Sequence, residues 1–352
     1  VKKRTLIIII CLLVVFRIAL PYMILYPLNV FMGDFSKVFL IRADDLSLSF
    51  LRGAYRLEAI EAKIKDPPLS FLKIEYIDVS LAWRDLFQGN LRTDIVVEGM
   101  KFDLNDQLLE AVKKNAEASA KDTQELGKKV LPIRISRVDI KNSEVAVADM
   151  KGLPEELKIK ITQIDGRISN ATATEKDPLT LAKIKAVLQD SATMYAVGEV
   201  NQWKTPAEWL LSFEAKEFDI TSLNPFLTHK LPLNFTGGKM DVYAEVKGEN
   251  NGLKGYIKPF VKDMQAVGNK KDFQGIKHFG IEISGELANL IFSRKSDKTV
   301  ATMVNFSYEK GTLNLDKGGI VSSALAHGYT KELPTGLENK YKMNKNTNEE
   351  KE

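Results

Sequence analysis

Residues 5–28, TLIIIICLLVVFRIALPYMILYPL, form an apolar run interrupted by one charge, Arg17. That length suits a helix crossing a hydrocarbon core of about 30 Å. The run therefore predicts a transmembrane helix, with residues 1–28 as N-terminus and span. Arg17 is costly near the middle of a span, but its long side chain can snorkel, and Pro21 is a candidate exit point. The alternative is a shorter span ending near Leu20. Lys2, Lys3 and Arg4 precede the run, so the positive-inside rule predicts a cytoplasmic N-terminus with everything after about residue 28 on the far side. Neither Ala19-Leu20-Pro21 nor Phe31-Met32-Gly33 offers a good cleavage site, so the helix is expected to be retained. The only cysteine, Cys11, follows the bulky Ile10. It reads as a plain membrane-facing residue, and the exported part can form neither an intrachain disulfide nor a cysteine zinc site.

Beyond residue 40 the dominant pattern is alternation of apolar and polar residues, the period of a strand with one wet and one dry face. Leu46, Leu48 and Phe50 alternate with polar neighbours, as do Ile77, Val79, Leu81 and Trp83, and then Met100, Phe102 and Leu104. The pattern returns at Val138 and Ile140, at Leu157, Ile159 and Ile161, and at Leu211 and Phe213. It is clearest at Met240, Val242, Ala244 and Val246, and continues through Phe279, Ile281 and Ile283, Val304 and Phe306, and Leu313 and Leu315. Asn142-Ser143, Asp165-Gly166, Gly237-Gly238-Lys239, Gly248 to Gly252 and Lys310-Gly311 read as hairpin turns between antiparallel strands in a meander.

Three segments break this reading. Residues 106–126 are rich in helix formers without a continuous apolar face, and mark a candidate domain boundary. Residues 222–228 read as a short helix capped by Thr221, and a third helix is expected after Lys317. From Lys331 the composition predicts a disordered tail.

The net charge of +4 is thinly spread, unlike the clustered basic face of a nucleic-acid binder. No nucleophile elbow, phosphate loop, dinucleotide fingerprint, zincin helix or EF-hand loop is present. His229, His278 and His327 are far apart in sequence, and Glu155-Glu156 reads as solvated surface. No catalytic, metal or cofactor-binding residue is assigned.

Four stretches carry a family resemblance: RIALPYMILYPLN (17–29), LPIRISRVDIKNSEVAVAD (131–149), FDITSLNPFLTHKLPLNFTGGKMDVYAEV (218–246) and LKGYIKPFVKDMQ (253–265). In order and spacing the chain resembles the bacterial AsmA-like superfamily, and within it the branch called domain of unknown function 748. Asn142-Ser143 stands where that family more often has asparagine with glycine. The resemblance implies an inner-membrane-anchored periplasmic protein related to lipid-handling envelope proteins, with sheets curving into an apolar groove.

The expected fold is mainly β: an N-terminal transmembrane helix, then curved antiparallel sheets forming an apolar groove or a sandwich, with a few short helices. The expected organisation is a membrane-proximal β region at 29–105, a helical linker at 106–130, an AsmA-like β domain at 131–330 and a tail at 331–352. The groove lining is expected from Ile77, Val79, Leu81, Val138, Ile140, Leu157, Ile159, Ile161, Met240, Val242, Ala244, Val246, Phe279, Ile281 and Ile283. Alternation does not by itself distinguish a lipid-binding face from a closed core; without the resemblance a closed core is the favoured reading, and with it the two stand level. The two functional expectations are a non-enzymatic protein that binds or passes phospholipid or another lipid, and a periplasmic scaffold that docks envelope protein partners.

Overall fold

The computed structural model describes residues 2–34, 36–49, 53–81, 91–119, 133–151, 154, 158–171, 179–201, 203–204, 206–225, 234–250, 252–267, 300–301, 303–309, 312–315 and 335–343. The protein is mainly β with one long N-terminal apolar helix. It divides into two compact units, residues 1–147 and 148–352.

The first unit runs α1 (Lys2–Asp34), β1 (Phe39–Arg42), β2 (Asp45–Ser49), β3 (Ala54–Ile64), β4 (Leu69–Leu81), β5 (Leu91–Glu98), β6 (Lys101–Leu104), α2 (Asp106–Ser119) and β7 (Ile133–Val147). Helix α1 does not end at Leu28 but continues through Pro21 and Pro27 to Asp34. Each proline lacks an N–H and so removes one intrahelical hydrogen bond. The sheet holds the helix beyond them. The Asn29 side chain donates to the Ala43 carbonyl and accepts from the Ala43 N–H, both at 2.8 Å. The Lys65 ammonium donates to the carbonyls of Gly33 (2.9 Å) and Ser36 (2.7 Å), a cation where the helix C-terminus favours one. Arg17 does not simply snorkel: its guanidinium donates to the Leu48 carbonyl at 2.6 Å.

Strands β1 and β2 both pair with β3, and β3, β4 and β5 follow antiparallel. Strand β7 then lies parallel to β5 and β6, so the sheet is mixed rather than purely antiparallel. The crossover contains α2, and a crossover is what a parallel return requires. By its contacts β7 belongs to the first unit, which ends at Val147. The Asn105 side chain caps α2, accepting the Leu108 N–H at 2.8 Å. Leu108 and Ala111 are buried against Ile64, with Phe39, Leu69 and Phe102 around them. The helix therefore has a short apolar face that a search for a continuous one passes over.

The Asn142-Ser143 turn is instead a kink inside β7, with Asn142 at φ 43°. The Ser143 hydroxyl accepts from the Met100 N–H (3.2 Å) and donates to the Lys141 carbonyl (2.9 Å). Nearby, Gly99 has φ 65°, and a Cβ there would meet the Glu75 side chain at 2.8 Å.

The second unit runs β8 (Ile159–Ser169), β9 (Thr180–Leu188), β10 (Ala192–Asn201), β11 (Glu208–Asp219), β12 (Asn234–Glu249), β13 (Gly252–Val267), β14 (Val300–Ala301), β15 (Val304–Glu309) and β16 (Thr312–Leu315). Strands β8 to β13 form the expected antiparallel meander, and β13 continues to β15 and β16. The hairpin expected across Gly248 to Gly252 is present, with Asn250 at φ 52°. The turns expected at Asp165-Gly166 and Gly237-Gly238-Lys239 are not turns, because both lie inside strands beside register shifts. Gln163, Glu217 and Asp263 likewise take positive φ within β8, β11 and β13. Such bulges bend a strand and strengthen its twist. Turns and bulges both recruit residues tolerant of positive φ, so local composition does not separate them.

After β11, a 3-10 turn covers Ile220–Leu223. Its cap is Asp219, not Thr221: the carboxylate accepts from the Thr221 N–H (3.0 Å) and hydroxyl (2.7 Å). Residues 226–228, the helix expected after Lys317 and the strand expected around Phe279 lie outside the described residues.

Candidate functional site

The register places apolar residues in rows across the second unit's sheet. One row contains Gly166, Ile184, Ala196, Phe213, Ala244, Ile257 and Val304. The next contains Ile168, Ala182, Gly198, Leu211, Val246, Gly255, Phe306 and Leu315. A third contains Ala186, Met194, Ala215, Val242 and Pro259. Paired residues share a sheet face, so the three rows make one apolar surface several strands wide.

This surface is closed at one end and open at the other. Ala192, Ala215 and Phe218 are buried there, with Met240, Val242 and Leu223 packed against them. Away from that end Leu211 is 39% exposed, Ile257 41% and Leu315 46%. Several row positions carry Gly or Ala, which keeps the surface low. At Gly255 a Cβ would lie 2.4 Å from the Glu245 carbonyl oxygen.

The opposite face is charged and, unexpectedly, the more buried one along β12. Asp241, Tyr243, Glu245 and Lys247 are buried, whereas Met240, Val242, Ala244 and Val246 are half-buried. Ion pairs satisfy Asp241 and Lys247. Lys262 lies 2.8 Å from Asp241, and Lys247 lies 2.8 Å from Glu208 and 3.0 Å from Glu249. Glu208 also pairs with Lys204, and Glu249 with Lys254. Burial alone would raise the Glu208 carboxyl, but the Lys204 and Lys247 ammonium groups outweigh it and hold the carboxyl below its ordinary value. Glu249 is lowered by Lys254 and Lys247.

Residues 335–343, expected to be disordered, lie across this charged face. The Glu338 N–H donates to the Tyr256 hydroxyl at 2.7 Å, and the Lys340 N–H to the Glu245 carboxylate at 3.0 Å. Glu338 pairs with the fully buried Lys258. The Tyr341 ring stacks on Tyr256 with centroids 6.5 Å apart, and Met343 is buried. Burial pushes the Tyr256 hydroxyl well above its ordinary value. Alternation misses this strap because its anchors are mixed polar and aromatic residues without a period.

In the first unit, Leu46, Leu57, Ile77, Val97 and Ile140 form one cross-strand row, and Leu48, Tyr55, Val79, Ile95 and Val138 another. Leu25 of α1 packs into the core with Ala43, Leu46, Ile60 and Ile74, and Ile77 packs against that core. Ile77 is half-buried against that core, Val79 is buried, and Leu81, Val138 and Ile140 are half-buried.

The expected lining residues therefore fall into separate groups. Met240, Val242, Ala244, Val246 and Ile161 lie on the second unit's apolar face, and Ile159 is half-buried in the same strand as Ile161. Leu157, Phe279, Ile281 and Ile283, and all three histidines, lie outside the described residues. The contribution of β13 went unread: Tyr256 and Phe260 face the charged side, so apolar residues occupy both parities and mask the period. Among the described residues, no group of three or more His, Cys, Asp or Glu side chains is placed to hold a metal ion.

Helix α1 is long and apolar enough to cross a membrane. Ile7, Leu12, Phe16, Ile18, Tyr22 and Tyr26 are all exposed on it, and an exposed apolar surface of this kind marks an interaction site. No protein-family model matches the chain, and no curated protein matches it.

Proposed function

We propose that this is a non-enzymatic, membrane-anchored envelope protein of the AsmA-like kind that binds lipid acyl chains on the apolar face of its second unit and passes them along it. The carrying observation is the set of unbroken apolar rows with Leu211, Ile257 and Leu315 left exposed. A soluble domain ordinarily hides such a surface, and a contiguous exposed one marks an interaction site. The charged reverse face is satisfied by ion pairs and the strap, which leaves the apolar face as the open one. In this reading Lys2, Lys3 and Arg4 keep the N-terminus in the cytoplasm, and the strands of both units lie on the periplasmic side of the inner membrane of a bacterial cell.

The test is mass spectrometry of lipid retained by the full chain after stringent detergent exchange. A membrane protein carrying one unrelated transmembrane helix serves as control. Stoichiometric phospholipid above that control supports the carrier. Lipid equal to the control, together with a stable protein partner in a pull-down, replaces it with the scaffold.

A further inference from the structure

A cleft of about 520 Å³ lies between α1 and the β1 corner, lined by Tyr22, Leu25, Tyr26, Leu40, Ile41 and Arg42 among others. Its volume is within the roughly 300–1,000 Å³ typical of small-molecule sites. We propose that this cleft is a phospholipid site, with one acyl chain against Tyr22, Leu25 and Leu40 and the phosphate on the Arg42 guanidinium. The inference rests on the lipid-binding reading and deepens it by naming a loading point.

The depth of α1 in the bilayer identifies the occupant. From Thr5 to Phe16 the apolar helix rises only about 18 Å, well short of a hydrocarbon core of about 30 Å. To cross, α1 must stay in lipid past Arg17 to about residue 24. The β2 strand runs back along this same stretch, with Ala43 held at Asn29 and Leu48 at Arg17. The β1–β2 corner and the cleft beside it are therefore at the level where acyl chains meet headgroups. The Arg17 and Asn29 hydrogen bonds supply backbone partners of the kind that depth requires. Tyr22 and Tyr26 are 67% and 76% exposed, as aromatic side chains at a membrane interface are.

Charge fixes the headgroup chemistry. Arg42 is at the cleft and, among the described residues, has only a loose pairing to Asp44, 3.8 Å away, and both side chains are mostly exposed. Such a pair is worth little. A phosphodiester offers the same guanidinium a charge-assisted, bidentate alternative.

The experiment places the photoreactive residue benzoyl-phenylalanine at position 40, 257 or 101 of the full chain in its native membrane. After irradiation, phospholipid adducts are counted by mass spectrometry. Position 101 is an exposed polar control in the same unit as the cleft. The expected result is an adduct at 40 well above that at 101, falling about tenfold when Arg42→Glu is added. A yield at 40 equal to that at 101, or one indifferent to Arg42→Glu, overturns the site. Adducts at 257 but not 40 leave the carrier face standing and remove the loading point. Adducts at 40 but not 257 keep the cleft and remove the carrier face.

Discussion

Replacing Ile257 by Asp separates a lipid face from an ordinary core. Ile257 is 41% exposed near one end of an apolar row, between Ala244 and Val304. Fully burying an isoleucine is worth about 1.5–3 kcal/mol, so removing a side chain little more than half buried costs about 1–2 kcal/mol. The introduced carboxylate still reaches water and adds little. Ala215→Asp is the internal contrast: Ala215 is 1% exposed beside Phe218, Met240 and Val242. An unpaired carboxylate there costs several kcal/mol, a large part of the ~5–15 kcal/mol that holds a domain together. Circular dichroism and urea unfolding should find the Ile257→Asp protein folded and slightly weakened, with its retained lipid lost, while Ala215→Asp unfolds. If Ile257→Asp is as disruptive as Ala215→Asp, the rows are packed core and the reasoning from exposure fails.

Three further outcomes follow from particular contacts. Asn29→Ala leaves the N–H and carbonyl of the fully buried Ala43 without their side-chain partner, so unfolding in detergent should show a loss of about 2–4 kcal/mol. Gly255→Ala forces a Cβ against the Glu245 carbonyl and should lower the melting temperature by several degrees, with Gly198→Ala, whose Cβ meets only ordinary contact, close to neutral. Glu208 and Glu249 have folded pKa values below their ordinary value near 4.3. Their stabilisation is therefore full above about pH 5 and is lost as pH falls through 4 and below. The urea midpoint should drop between pH 6 and pH 3.5, and drop less in Glu208→Gln.

The amino-acid sequence alone determines the long apolar helix and most of the strands, because both depend on local patterning. The run at 5–28 needs no partner to be recognised, and neither does Met240 to Val246, since a side chain's face in a strand follows from its neighbours. Tertiary structure decided the rest through contacts between distant residues. The parallel return of β7 depends on where α2 packs, Asn142-Ser143 becomes a kink where β7 passes from β5 to β6 as its partner, and Gly237-Gly238 becomes a bulge rather than a turn because β13 continues past it. Which face of β12 is more buried was also decided at a distance: the strap at 335–343 covers Glu245 and Lys258 nearly a hundred residues before it, so the charged parity is sealed while the apolar parity stays partly open. Periodicity marks which residues share a face, but burial depends on what the folded chain lays over that face.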